Sequence, residues 1–290
     1  MALILYGKPV AASIYADTRN KARALIARGV TPTLSIFRAG ESPDALAYER
    51  GIARACERAL VSVKTFDFDE NVSQADLISA VAAASSDNAV HGIIIMRPLP
   101  AHIDEAAVLR AIAPRKDVDG ASELSLSTVF SGSGEGYAPC TAEAVVRMCD
   151  FYDIPLRGRR AVVVGRSLVV GRPAAMLLLA RDATVTLCHT KTENLAEVCR
   201  EADILVAAAG RARLLGADCI RDGQVVIDCG VNSAPEGGLC GDVAFEEAQE
   251  LADAISPVPG GVGAVTSALL AEHVVAASQT ALKSEADVKN

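Results

Sequence analysis

The chain has 290 residues, enough for one large domain or two ordinary ones. About half of it is apolar (51%), it has no tryptophan, and it carries a net charge of −8, so it reads as a globular α/β protein with a real core. The basic residues form no long run, which argues against nucleic acid or an anionic membrane as the main partner. No apolar stretch has the length of a signal peptide or a bilayer span, so a cytoplasmic protein is expected.

Residues 8–28 repeat apolar positions at helical spacing up to Gly29, and Pro32 to Phe37 reads as a strand. Gly40-Glu-Ser-Pro43 is a turn, and Ser42 is placed to cap a helix running to about Leu60. A second strand is predicted over Val61 to Phe68, a helix capped by Ser73, and a third strand over Val90 to Met96. Two prolines in Arg97-Pro-Leu-Pro100 stop that strand. A short helix follows over Asp104 to Ala113, then Lys116-Asp-Val-Asp-Gly120 and a Ser/Gly-rich passage through Gly136 that reads as loop. Thr141 is expected to cap a helix to Tyr152.

From Ala161 a second alternation begins, with strands at 161–164, 183–189, 203–208 and 224–229 and helices at 173–181 and 194–201. This is the rhythm of a Rossmann-type nucleotide-binding unit. Pro257-Val-Pro-Gly-Gly-Val-Gly263 is a rigid turn, Thr266 to Leu282 a long helix, and the charged tail from Lys283 is expected to fray. Eight cysteines show no C-x-x-C spacing and read as free thiols packed as small hydrophobes; the four histidines show no metal spacing, and no metal is expected.

The stretch Ala161-Val-Val-Val-Gly165-Arg-Ser-Leu-Val-Val-Gly171-Arg-Pro173 is an apolar strand feeding a glycine turn and a helix start, where N–H groups can receive a phosphate. It lacks the full G-x-G-x-x-G pattern, so on its own it fits a cofactor turn or an ordinary βα connection. NAD-selective domains place an acid at the end of the following strand to receive the ribose 2′-OH. Here that strand ends in His189-Thr190-Lys191-Thr192, so positive and hydroxyl groups stand where the acid would be, and NADP is favoured over NAD.

Taken together, Tyr48 after Gly-Glu-Ser-Pro, Pro98-Leu-Pro100, Lys116-Asp-Val-Asp-Gly120, Pro139-Cys-Thr141, Val164-Gly-Arg-Ser167, Val170-Gly-Arg-Pro173 and Pro257-Val-Pro-Gly-Gly-Val-Gly263 resemble the methylenetetrahydrofolate dehydrogenase/cyclohydrolase family over essentially the whole chain. The resemblance implies two α/β domains flanking a cleft: residues 1–138 plus 268–290 holding folate, and a Rossmann-type domain, 139–267, holding NADP. It implies a homodimer acting on 5,10-methylenetetrahydrofolate. On the folate side it assigns Tyr48 and Asp119 to catalysis and Pro259, Gly260, Gly261 and Val262 to substrate contact. On the nucleotide side it points to Gly165, Arg166, Ser167, Val170, Gly171, Thr190, Val231 and Thr266.

Two positions depart from the family pattern. The family's Tyr-x-x-x-Lys, which puts both side chains on one helix face, reads Tyr48-Glu-Arg-Gly-Ile52, and its Gln-Leu-Pro-Leu-Pro reads Met96-Arg-Pro-Leu-Pro100. Isoleucine and methionine can neither position water nor move its proton, whereas hydride transfer chiefly requires orientation. The sequence therefore leads to the expectation of an NADP-dependent dehydrogenase whose cyclohydrolase activity is weak or lost. The alternatives are the ordinary bifunctional enzyme giving 10-formyltetrahydrofolate and a catalytically silent folate or nucleotide binder.

Overall fold

The computed structural model of the protein describes residues 2–288. In chain order its first elements are β1 (Leu3–Ile4), α1 (Gly7–Ile26), β2 (Thr33–Ala39), α2 (Pro43–Arg58), β3 (Ser62–Phe68), α3 (Gln74–Ser86) and β4 (Gly92–Ile95). Then come α4 (Glu105–Leu109), α5 (Glu123–Ser131), α6 (Cys140–Phe151), β5 (Arg160–Val164), α7 (Gly171–Leu179), β6 (Thr184–Cys188) and α8 (Leu195–Arg200). The last are β7 (Ile204–Ala207), β8 (Val225–Asp228), β9 (Asn232–Ser233), β10 (Leu239–Cys240), α9 (Phe245–Leu251), β11 (Ala254–Ile255) and α10 (Val262–Val288).

Contacts divide the chain into two units, Ser13–Ala138 with Ser267–Asn290 and Met1–Ala12 with Pro139–Thr266. The start of the chain therefore departs from the expected boundary, which put residues 1–138 together. The reason is β1, whose Leu3 and Ile4 pair in parallel with Ala254 and Ile255 of β11 and so add an edge strand to the other sheet.

The unit built from Ser13–Ala138 carries a parallel three-stranded sheet in the order β3-β2-β4. β2 is central, and Leu34, Ile36 and Phe37 on it are fully buried. Phe37 stacks on Phe66 of β3 at 4.6 Å, a contact between neighbouring strands that helps hold the register Phe37↔Phe66. Ser42 and Ser73 cap α2 and α3, accepting from the Ala45 and Asp76 N–H groups.

The Ser/Gly-rich passage expected to be loop contains α5. Its cap, Ser122, accepts from Ser125 N–H, while the buried Asp117 carboxylate receives the N–H groups of Ala121 and Ser122 and the Ser125 hydroxyl at 2.6–3.1 Å. That carboxylate organises the turn and the helix start through contacts four to eight residues along the chain, which serine and glycine content alone does not reveal.

The other unit holds a parallel six-stranded sheet in the order β1-β11-β8-β7-β5-β6. β5 and β7 are buried almost throughout, as strands covered on both faces must be. β5 is flanked by β6 and β7, the strands that follow it, so its carboxyl end is the topological switch point. α6 begins at Cys140 after Pro139, so Thr141 lies inside the helix and is not its cap. α10 starts at Val262, four residues before the expected Thr266, and continues through the expected frayed tail to Val288, with residues 289 and 290 outside the described ones.

The eight cysteines are free, and burial pushes the Cys56 and Cys149 thiols up to about 12, well away from reactive thiolates. No helix among the described residues is long and apolar enough to cross a membrane. Replacing Asp117 by alanine leaves three donors without their acceptor, and the expected outcome is a loss of about 3 kcal/mol, read from the urea midpoint.

Candidate active site

The nucleotide side is built where β5 ends. Gly165 has φ +129°, and a Cβ there would lie 1.9 Å from the Ala208 carbonyl oxygen; a Cβ on Gly171 would lie 2.0 Å from the Gly165 oxygen. Both glycines are therefore demanded by backbone packing, the first between the β5 and β7 turns and the second between the turn and α7. Ser167 closes the same turn, its hydroxyl oxygen accepting from the Val170 and Gly171 N–H groups at 3.1 and 3.4 Å.

A cavity of about 320 Å³ opens on this turn, with Gly165, Arg166, Ser167, His189, Thr190, Thr192, Ala208, Ala209 and Arg211 in its wall. Two arginines and no carboxylate line it. His189 is fixed by its neighbours: its N–H donates to the Thr192 hydroxyl at 2.9 Å, and its Nδ1 accepts from Lys191 N–H at 3.1 Å, leaving Nε2 to carry the ring proton. A guanidinium, two threonine hydroxyls and exposed backbone fit a nucleotide bearing an extra phosphate, because no acid is present to repel it.

Of the nucleotide residues singled out in the sequence, the structure brings Gly165, Arg166, Ser167 and Thr190 to this cavity. Val170 and Gly171 lie behind it at the start of α7. Val231 is 65% exposed on the loop after β8, and Thr266 is buried in α10 with its hydroxyl donating to the Val262 carbonyl at 3.2 Å; neither lines the cavity.

Sequence reasoning missed two buried carboxylates that shape the loops beside it. Asp242 is fully buried and accepts from the N–H groups of Ala209, Gly210 and Arg211 at 2.6–2.9 Å and from the Asn232 side chain at 2.9 Å. Asp228, at the end of β8, accepts from the N–H groups of Gly230, Asp242 and Val243. Burial, reinforced by the charge of Asp242, raises Asp228 to about 6 despite those three donors. The available signal was glycine placement: a Cβ on Gly230 would meet the Asp242 carboxyl carbon at 2.4 Å, and one on Gly241 would meet the Asp228 oxygen at 1.9 Å.

Within the same unit, Gly7 N–H donates to the Gly260 carbonyl at 2.8 Å, and a Cβ on Gly7 would lie 1.9 Å from the Gly261 oxygen. The turn leaves Pro259 and Gly260 exposed, whereas Gly261 and Val262 are buried where α10 begins.

The folate-side residues lie in the other unit. Asp119 lies in the turn closed by Gly120 N–H on the Asp117 carbonyl, and its side chain is 15% exposed. Arg97, just past β4, donates from Nη2 to Asp119 Oδ2 at 3.1 Å and lies 3.7 Å from Glu105. Burial raises the Asp119 carboxyl to about 6; Arg97 opposes that rise, and Asp117 adds to it.

Tyr48 is 45% exposed on α2, whereas Ile52, one turn on, and Met96 are buried. α2 is tied to the sheet by the buried Arg38, which donates to Glu49 at 2.9 Å and to Asp67 on β3 at 2.6 Å. Helical spacing thus places Tyr48 and Ile52 on one face, and the structure spends position 52 on the core. Arg97 takes one lone pair of Asp119 Oδ2, so both carboxylate oxygens keep acceptor capacity for a ligand amide and amine.

Residues 5–119 match the catalytic domain of the tetrahydrofolate dehydrogenase/cyclohydrolase family, and residues 139–282 match its NAD(P)-binding domain. The chain is 45% identical to the bifunctional protein FolD of Carboxydothermus hydrogenoformans, across 96% of this chain and 98% of that one. It is 42% identical to that of Clostridioides difficile, across 94% and 96%. Among solved structures, the bifunctional enzyme FolD from Campylobacter jejuni superposes with a TM-score of 0.94 at 36% identity, covering 97% of this chain and 99% of that one. The Trypanosoma brucei dehydrogenase-cyclohydrolase, complexed with NADP cofactor and inhibitor, gives 0.91 at 32%, covering 97% and 98%.

Because the cation next to Asp119 favours its ionised form, replacing Arg97 by leucine should raise the Asp119 pKa further. The expected result in Arg97→Leu is an Asp119 carboxyl that titrates at higher pH than in the parent chain; following that side chain by NMR across a pH series checks it. With both domain matches and relatives aligned along nearly its full length, the chain belongs to the tetrahydrofolate dehydrogenase/cyclohydrolase family.

Proposed function

We propose that the protein oxidises 5,10-methylenetetrahydrofolate to 5,10-methenyltetrahydrofolate with NADP and hydrolyses that product to 10-formyltetrahydrofolate, working as a homodimer. The observation that carries the reading is the cavity at the carboxyl end of β5, lined by Arg166 and Arg211 without a carboxylate, in a chain 45% identical to a bifunctional relative. The open edge of β6, where Leu187 is 38% exposed, is a surface on which a second copy can pair.

When bound, NADP supplies the acceptor for a hydride. The chain's own part is binding and orientation. Arg166 pairs with the 2′-phosphate, and the hydroxyls of Ser167 and Thr190 with neighbouring oxygens. Asp119, ionised above about pH 6, accepts two parallel hydrogen bonds from the pterin amide and amino groups, so the ring is held by a charge-assisted pair. Tyr48 offers an exposed ring and hydroxyl on the same unit, and Pro259 and Gly260 offer backbone that a flat ring can approach closely.

A second reading is favoured by one observation. Hydrolysis needs a group that positions water at the methenyl carbon and takes up its proton, and Ile52 and Met96 are buried hydrocarbon and thioether. Arg97, next to Met96 in the chain, is already paired with Asp119. On this reading the dehydrogenase persists and the cyclohydrolase is weak or lost.

Two measurements test these readings. Arg166→Ala should raise the KM for NADP by about tenfold or more and leave that for NAD nearly unchanged, since only the 2′-phosphate contact is removed. Purified protein is then given methenyltetrahydrofolate alone, and methylenetetrahydrofolate with NADP. Rapid hydrolysis of the former supports the bifunctional reading. NADPH formation with methenyl product accumulating supports the second, and Ile52→Lys with Met96→Gln should then raise hydrolysis at least about tenfold. Silence in both assays, with nucleotide still bound, overturns the enzyme reading in favour of a binding protein.

A further inference from the structure

A cavity of about 560 Å³ lies at the amino end of β4, in the unit that carries Asp119. The parallel bridge Ile93↔Asp117 sets its position. Lys116 precedes that bridge, at the end of the short 3-10 turn Pro114–Lys116, and Asp119 follows it in the turn closed on the Asp117 carbonyl. Asp119 is not in its wall, so this cavity is distinct from the candidate folate side.

Its wall brings two adjacent cations to one hollow. Lys116 is 5% exposed, and its Nζ donates to the Asp87 carbonyl at 2.6 Å. Among the described residues that is its one hydrogen-bond partner, and it has no carboxylate within ion-pair distance. An ammonium has three donors, and burying it without a counter-charge is costly. Arg115 beside it is exposed and likewise makes no ion pair among the described residues. Burial and the charge of Arg115 lower the Lys116 pKa, and the charge of Asp87 only partly opposes them.

The rest of the wall is suited to an organic body. Ala277 and Ala281 of α10 present small apolar side chains, and Tyr137 adds a ring held by stacking on His273 at 4.7 Å. Burial raises the Tyr137 phenol to about 12, so it stays neutral. One acid, Glu135, lines the rim; it is exposed, where water screens it. The volume falls within the range of small-molecule sites.

We infer that this cavity binds a small organic anion, its phosphate or carboxylate head against Arg115 and Lys116 and its apolar body against Tyr137 and the alanines of α10. The inference is independent of the proposed activity, because no residue of that site lines this cavity.

The probes are phenyl phosphate and benzoate, with benzyl alcohol as the neutral comparison, measured by calorimetry on the full chain with saturating NADP in every cell. The expected result is one site per chain for at least one anion. Affinity should fall about tenfold or more in Arg115→Gln and in Ala281→Leu, and stay unchanged in Arg166→Ala. Lys116→Met should lose binding similarly; should it fail to fold, Arg115→Gln, an exposed substitution, decides alone. Three results overturn the inference: no saturable binding of either anion at millimolar concentration, binding that Arg115→Gln leaves intact, or equal binding of benzyl alcohol.

Discussion

The nucleotide side rests on backbone that has no room for a side chain. At the carboxyl end of β5, a Cβ on Gly165 would stand 1.9 Å from the Ala208 oxygen and one on Gly171 2.0 Å from the Gly165 oxygen. These two approaches let the β5 turn, the β7 turn and the start of α7 meet at the switch point of a parallel sheet. The chain trades conformational freedom at two glycines for a concave, donor-rich surface, and the cavity bearing Arg166 is the consequence.

The same economy recurs one layer deeper. Asp228 and Asp242 are buried carboxylates whose oxygens are taken by backbone N–H groups, three donors from successive residues in the case of Asp242. Each sits against a glycine that cannot carry a side chain, Gly241 for Asp228 and Gly230 for Asp242. Interlocked in this way, the segments after β7 and β8 are held by buried carboxylates and the short β9–β10 pair. Rigid loops at strand ends are what a site needs to orient a ligand without reorganisation.

On the folate side a charged pair holds the corresponding position. Arg97 and Asp119 meet at 3.1 Å in a partly buried setting where burial disfavours the carboxylate and the guanidinium favours it. The guanidinium offsets part of the burial cost, and the Asp119 carboxyl is still raised to about 6. Sequence comparison with the family pattern draws attention to Ile52 and Met96. The structure adds that both are buried and that Arg97, which follows Met96, is already engaged with Asp119.

Local sequence was sufficient for whatever depends on neighbours along the chain. The capping serines Ser42 and Ser73, the alternation of apolar strands with helices, and the glycine turn after Val164 were all legible, because caps, periodicity and turn chemistry act over a few residues. Tertiary structure alone decided the rest. It sent β1 to the edge of the six-stranded sheet through pairing with residues about 250 positions away. It also separated Gly165, Arg166, Ser167 and Thr190, which share a cavity, from Val231 and Thr266, which do not. Motif spacing records which residues a family keeps, but which of them share a cavity depends on backbone paths that only the packed chain defines.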